Sequence, residues 1–234
     1  MNVSGTVKRY KEYLLGLFFP PLCVACKTPL LHQENTLCAT CLFHLPINDH
    51  HLFAVNDAVK RFWGKTDIIM AASYLSFTKS SLVQTIVHDL KYKGNRAVGY
   101  YLGVAFGKKL LESPFFKEVE LIVPIPLHKK KKQQRGYNQS ADIAKGIADA
   151  MGLPMDSMSL IRVVHTESQT KKQGMERFDN MENVFTCANP KTLEGKHILL
   201  VDDVLTTGAT MASAAEILQK MADCKISVAT IAIA

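Results

Sequence analysis

Two adjacent carboxylates, Asp202 and Asp203, follow the apolar run Ile198-Leu199-Leu200-Val201, and after Val204 and Leu205 the chain reads Thr206-Thr207-Gly208-Ala209-Thr210. Neighbouring carboxylates suit a vicinal diol, since each accepts hydrogen bonds from sugar hydroxyls, and they suit a hydrated Mg²⁺ equally well. The Thr/Gly/Ala turn offers free backbone N–H groups, hydroxyl donors and side chains small enough for a phosphate to approach. If a helix starts there, its positive dipole end adds to the anion site. A diol site beside a phosphate site describes a ribose 5-phosphate. A plainer reading is a strand–turn–helix connection in which Asp and Thr only cap, but a cap uses one such residue and here several fall in register. Neither GxxxxGK[ST] nor a GxGxxG placed after a strand occurs in the sequence.

A second polar feature is cationic. No acid lies between Glu120 and Asp142, whereas Lys129, Lys130, Lys131, Lys132 and Arg135 do, and without these five the formal charge of +7 falls to +2. Positive charge concentrated in one segment suits a diphosphate or a nucleic-acid backbone. A solvated lysine turn is the alternative for such a run.

Cys23-Val24-Ala25-Cys26 and Cys38-Ala39-Thr40-Cys41 are two CxxC knuckles separated by 11 residues. Together they offer four thiolates to one tetrahedral Zn²⁺, in a segment too short to fold on its own apolar burial. A redox dithiol or an iron–sulfur cluster are the alternatives. Cys187 and Cys224 stand alone and read as buried or incidental thiols.

These residues need elements to position them. At 234 residues and 47% apolar composition, the chain has room for one core with a small module beside it. Tyr10, Tyr13, Leu14, Leu17 and Phe18 recur at helical spacing, and Pro20-Pro21 ends that pattern. Pro46 to about Thr66 has no clear period and is expected to connect two modules, divided as 1–60 and 61–234. Beyond it, strands are expected at Ile68–Tyr74, Leu121–Pro126, Ile198–Val201 and Ile226–Ile233. Helices are expected on the face Leu82, Val83, Ile86, Val87, Leu90, over Val98–Leu111, around Ile143–Met151 with Asn138 or Ser140 as cap, and around Ala214–Met221. Alternating strands and helices predict a doubly wound, parallel α/β sheet of about five strands, with ligands at the carboxyl ends of the strands. Trp63, Tyr92, Tyr100 and Tyr101 are expected in the core, although exposed aromatics could stack on bases. His88 reads as structural.

The stretch from Asp202 to Thr210 resembles the phosphoribosyl pyrophosphate (PRPP) fingerprint of type I phosphoribosyltransferases. Pro124 to Ser140, with Arg135-Gly136-Tyr137-Asn138-Gln139 after a Pro-x-Pro strand end, resembles the ComF family of competence-associated phosphoribosyltransferase-like proteins. The likeness extends to Leu90-Lys91-Tyr92-Lys93-Gly94, to Arg162, Thr166, Gln169, Arg177, Asn180 and Phe185, and to the cysteine quartet. His165 stands where that pattern leads one to expect Lys or Arg.

The resemblance implies a type I phosphoribosyltransferase fold carrying a small zinc-ribbon-like module built on the four clustered cysteines. It implies that Asp202 and Asp203 hold the ribose diol and Mg²⁺, that Val204 and Leu205 belong to the PRPP-binding stretch, that Thr206–Thr210 cradle the 5-phosphate, and that the Pro124–Arg135 segment faces the diphosphate. It also implies DNA uptake in natural transformation, with single-stranded DNA and competence proteins such as a helicase as partners. Residues 162–183 are polar and aperiodic, and Arg162–Asn180 are expected to form a lid, because phosphoribosyl transfer must exclude water. A disordered surface excursion is the alternative. The longest apolar run near the start, Leu14–Pro21, is far short of a membrane span and has no small-residue cleavage site, so a cytoplasmic protein without a membrane span is expected.

Overall fold

The computed structural model of the protein describes residues 20–77, 82–128, 133–163 and 184–234. The helical pattern around Tyr10–Phe18, Lys129–Lys132 and most of the expected lid, including Thr166, Gln169, Arg177 and Asn180, lie outside the described residues.

Four apolar runs form a parallel sheet in the order β1-β6-β5-β2. The strands are β1 (Met70–Ser76), β2 (Leu121–Pro124), β5 (His197–Leu205) and β6 (Lys225–Ile233). A fifth strand was expected, and only a one-residue rudiment exists among the described residues. Ile122 N donates to Pro154 O (3.0 Å) and Asp156 N to Ile122 O (2.9 Å), a parallel bridge centred on Met155. It stops there because Asp156 Oδ1 accepts the amides of Met158 and Ser159 and turns the chain away. A separate antiparallel pair, β3 (Leu160–Arg162) and β4 (Phe185–Cys187), flanks residues 163–184.

Alternate residues of β5 serve two cores, as the strand's period of two requires. Leu199 and Val201 join the apolar side chains of α3 (Leu82–Tyr92), α4 (Arg96–Glu112) and α5 (Gln139–Met151). Ile198 and Leu200 join those of α7 (Ala209–Ala222) and Leu193 of the short α6 (Pro190–Leu193). Helices α4 and α5 touch backbone to backbone. A Cβ on Gly103 would lie 2.2 Å from Ile143 O, and one on Gly146 2.2 Å from Tyr100 O, so glycine alone permits this approach. None of the described helices is long and apolar enough to cross a membrane.

The segment expected to connect two modules begins by pairing with the sheet edge. Asn48 N donates to Tyr74 O and Ser76 N to Pro46 O, pairing Ile47 antiparallel to Leu75. Asn56 Oδ1 then caps α2 (Asp57–Lys60) through the amides of Ala58 and Val59, while its Nδ2 reaches the carbonyls of His50, Phe53 and Ala71. One buried amide side chain thereby organises a stretch without periodicity. Before it, the cysteine segment forms α1 (Ala39–Phe43), and its Leu30, Leu37 and Leu45 share an apolar cluster with Ile86 and Leu90 of α3.

The expected core placement of the aromatics is overturned for three of the four. Trp63 is 62%, Tyr92 65% and Tyr100 41% exposed, while Tyr101 is partly buried against the core. Tyr92 is the last residue of α3, past its apolar face.

Candidate ribose phosphate site and cysteine cluster

Strand β5 runs four residues past its apolar core because its ladder to β6 continues, with Asp202 opposite Thr230 and Val204 opposite Ala232. The acidic pair is thus held on rigid strand, immediately before the turn. Gly208 adopts φ +81° there, and a Cβ on it would lie 3.1 Å from Arg61 O, so the turn needs glycine on both counts. Helix α7 begins at Ala209, aiming its first amides back toward the strand end. Asp202 and the continuous run Val204–Met211 line one small, open recess. Lys65 Nζ donates to Thr207 O (2.5 Å) and Arg61 to the carbonyl of Ala234 (2.6 Å), so the segment after α2 braces the outer side of the turn.

The two carboxylates have different partners, as neighbouring strand residues pointing to opposite faces must. Asp202 Oδ1 accepts Ser140 Oγ–H at 2.7 Å and the Asp203 amide at 2.8 Å. Burial, then the charge of Asp203, push its carboxyl up to about 6. Asp203 Oδ2 instead lies 3.2 Å from Lys91 Nζ, with these side chains only 14% and 24% exposed. Of the stretch Asp202–Thr210, every residue but Asp203 lines the recess, and Asp203 faces Lys91. Ser140 was read as a possible helix cap, as was Asn138. Neither caps α5 with its side chain: Ser140 is committed to Asp202, and Asn138 Nδ2 donates to Ile125 O (3.0 Å).

The four thiols of Cys23, Cys26, Cys38 and Cys41 lie within 4.8 Å of one another. Tetrahedral zinc with bonds of about 2.3 Å places its sulfurs about 3.8 Å apart, and Cys26 Sγ and Cys38 Sγ are 3.6 Å apart. Backbone amides already point at the sulfurs, Cys38 N at Cys23 and Cys41 N at Cys38, both at 3.4 Å. The Thr28 hydroxyl and amide hold the Cys26 thiol down to about 6, while burial and its neighbouring thiols push Cys41 up. Thiols this close can all ionise only with a cation among them, so the quartet fits a zinc ion.

A model of the phosphoribosyl transferase domain matches residues 138–233. "Competence protein F" of Haemophilus influenzae is 26% identical over 217 residues, covering 87% of this chain and 93% of that protein. "Competence protein ComFC" of Bacillus subtilis is 27% identical over 201 residues, 84% of this chain and 77% of that one. "DNA utilization protein YhgH" of Salmonella typhimurium is 31% identical over 136 residues, 57% of this chain and 59% of its own length. Over most of its length the chain is similar to these competence-named proteins. Its fold is that of type I phosphoribosyltransferases with a small amino-terminal four-cysteine module.

The segments that carry the ComF resemblance converge on the end of α3. Gly136 takes φ +76°, turning the chain so that the Tyr137 hydroxyl donates to the Leu90 carbonyl. Arg135 donates to Gln139 Oε1 (2.9 Å) and sets its guanidinium 5.3 Å from the Tyr92 ring centre, on a ring that His88 also approaches at 4.9 Å. Gln139 is buried. Of the expected lid, Arg162 ends β3 and lies over the Phe185 ring. Sequence reasoning missed Lys91 as the partner of Asp203 and Ser140 as that of Asp202. No local pattern marks either pair, because each joins residues far apart in the chain.

Proposed function

We propose that this protein is a member of the ComF family, binds PRPP in the recess at the end of β5 and serves the handling of single-stranded DNA in natural transformation. The observation that carries the reading is the lining itself: one carboxylate, Asp202, and the amide-rich turn Thr206–Thr210 face the same space. Asp202 and Asp203 would take the ribose hydroxyls, and the Thr206–Thr210 amides and hydroxyls the 5-phosphate. Mg²⁺, which suits hard oxygen donors, would be held at the same acidic pair. Bound Mg²⁺ would offset diphosphate charge. Lys129–Lys132 and Arg135 are assigned to polyanions, diphosphate or DNA backbone, and the cysteine quartet to a structural Zn²⁺. The competence and DNA-utilization names of the relatives motivate the DNA role, while a competence helicase as partner rests on the ComF resemblance alone.

Calorimetric titration with Mg-PRPP tests the pocket. Wild type should bind, and Asp202→Ala/Asp203→Ala should lose binding; equal heats from both would sink the reading. A salt titration tests DNA. Five cations on a single strand predict a slope of log K against log [salt] of about −3.5, and a flat slope removes DNA as their partner.

A second reading, catalysed phosphoribosyl transfer to a nucleobase, amine or ammonia, is favoured by the Asp202 carboxyl. Titrating at about 6 and oriented by Ser140, it can accept a proton near neutral pH. Loss of diphosphate from C1 leaves positive charge on the sugar, which the acidic pair would stabilise. Diphosphate release with a panel of acceptors supports this reading, and none with any acceptor leaves a PRPP-responsive binder.

A further inference from the structure

We infer that the cysteine module is a working part of the ribose phosphate site, coupled to it by Lys27 and Asp89 acting as positioning residues for Lys91. The inference rests on the proposed reading of the recess for its ligand, though not for its geometry.

Lys27 directly follows Cys26, the second thiol of the first knuckle. Its amide donates to Cys23 O (2.9 Å), closing the knuckle, and its φ is +63°, a conformation uncommon outside glycine. The knuckle turn therefore dictates where the side chain leaves. Lys27 Nζ donates to Val24 O (2.5 Å), inside the same knuckle, and to Asp89 Oδ2 (3.1 Å), 62 residues away in α3. Asp89 is only 4% exposed, and Lys93 Nζ lies 2.8 Å from its Oδ1. A carboxylate so buried must keep cations near it, which fixes α3 against the knuckle.

The last turn of α3 carries the rest of the connection. Leu90 O accepts the Tyr137 hydroxyl, Lys91 pairs with Asp203 at 3.2 Å, and the Tyr92 ring lies beside Arg135. Asp89 and Lys91 are about 3 Å apart along the helix axis at the usual rise of roughly 1.5 Å per residue. A shift of the turn at Asp89 is thus a shift of Lys91 at the acidic pair. Closure of the four thiols around a metal holds the knuckle, the knuckle holds Lys27, Lys27 holds Asp89, and Lys91 is presented to Asp203.

The test uses the zinc-loaded full chain, with zinc counted in every sample. Lys27→Ala should weaken Mg-PRPP binding about five-fold or more while zinc is retained, and Lys27→Arg should recover most of it. On a Lys91→Ala background, Lys27→Ala should add no further loss, because its effect passes through Lys91. Unchanged or tighter binding in Lys27→Ala, or losses that multiply in the double variant, overturn the inference. Hydrogen exchange reads the coupling without ligand. Zinc removal from wild type, and Lys27→Ala itself, should each speed exchange across residues 89–92 while β5 and β6 stay protected. Exchange at 89–92 that ignores both changes overturns the coupling, even if wild type binds no PRPP and the proposed function fails separately.

Discussion

Ser140 Oγ donates to Asp202 Oδ1 across 2.7 Å, so the helix after the Arg-Gly-Tyr-Asn-Gln segment and the strand carrying the acidic pair meet through one hydrogen bond. The bond explains why a serine stands two residues into α5, where it cannot cap. It aims and part-stabilises a carboxylate that burial would otherwise keep protonated.

Ser140→Ala should therefore raise the Asp202 carboxyl above its present value of about 6. A hydrogen bond to a charged group contributes about 1.5–3 kcal/mol, which leaves roughly half to a twentieth of the carboxyl ionised at pH 7, so Mg-PRPP affinity there should fall about 2-fold to 15-fold. The deficit should shrink at pH 8, where the carboxyl ionises again. Titrations at pH 6, 7 and 8 check this, and an equal loss at all three would mean that Ser140 contacts the ligand itself.

Asp202→Asn should separate stability from binding. A carboxyl raised in the folded state destabilises the fold as it ionises, so the penalty is absent well below the unfolded value of 3.8, grows as pH rises and is complete above about 6. The variant should melt higher than wild type at pH 7–8, by up to about 2–3 kcal/mol of stability, with the gain falling to a small remainder at pH 4. Binding of Mg-PRPP should be lost at every pH. Melting curves from pH 4 to 8 read the first effect and calorimetry the second.

The turn and the quartet were legible in sequence because each is local: residues within about ten positions define a strand end, a phosphate turn or a knuckle. The apolar periods located the strands and helices for the same reason. The long-range pairs Lys91–Asp203, Ser140–Asp202 and Lys27–Asp89 were not legible, since they depend on how α3 and α5 are laid over the sheet. The form of the segment 46–66 is not legible in its sequence, because a buried asparagine and edge pairing, neither periodic, give it its shape. The spacing of Gly99, Gly103 and Gly107 did carry a readable signal for the close α4–α5 contact.

That contact makes Gly103→Ala a severe substitution. Its Cβ would fall 2.2 Å from Ile143 O, backbone that cannot yield unless the helices separate. Overpacking of this kind costs about 1–3 kcal/mol or more, and the melting temperature should drop accordingly. Gly208→Ala meets Arg61 O at 3.1 Å with φ at +81°, so about 1–3 kcal/mol of strain is expected there too. The two should differ in binding: Gly208→Ala should weaken Mg-PRPP in protein that is still folded, and Gly103→Ala should bind normally wherever it remains folded. Identical binding defects per folded molecule would contradict the placement of the phosphate turn.

Cys38→Ser tests the metal. Its thiol lies 3.6 Å from Cys26, and its neighbourhood joins the apolar cluster of α3, so the loss should be felt in both the module and the main core. Structural zinc contributes on the order of 10 kcal/mol to the folding of such small modules. The variant should retain far less than one zinc per chain, expose residues 20–60 to protease and melt earlier, and chelation of wild type should do the same. Bound iron with visible absorbance would assign an iron–sulfur cluster instead. Chelation that leaves proteolysis of residues 20–60 and the far-UV circular dichroism untouched would remove the metal altogether, because four thiols this close could then fold without one.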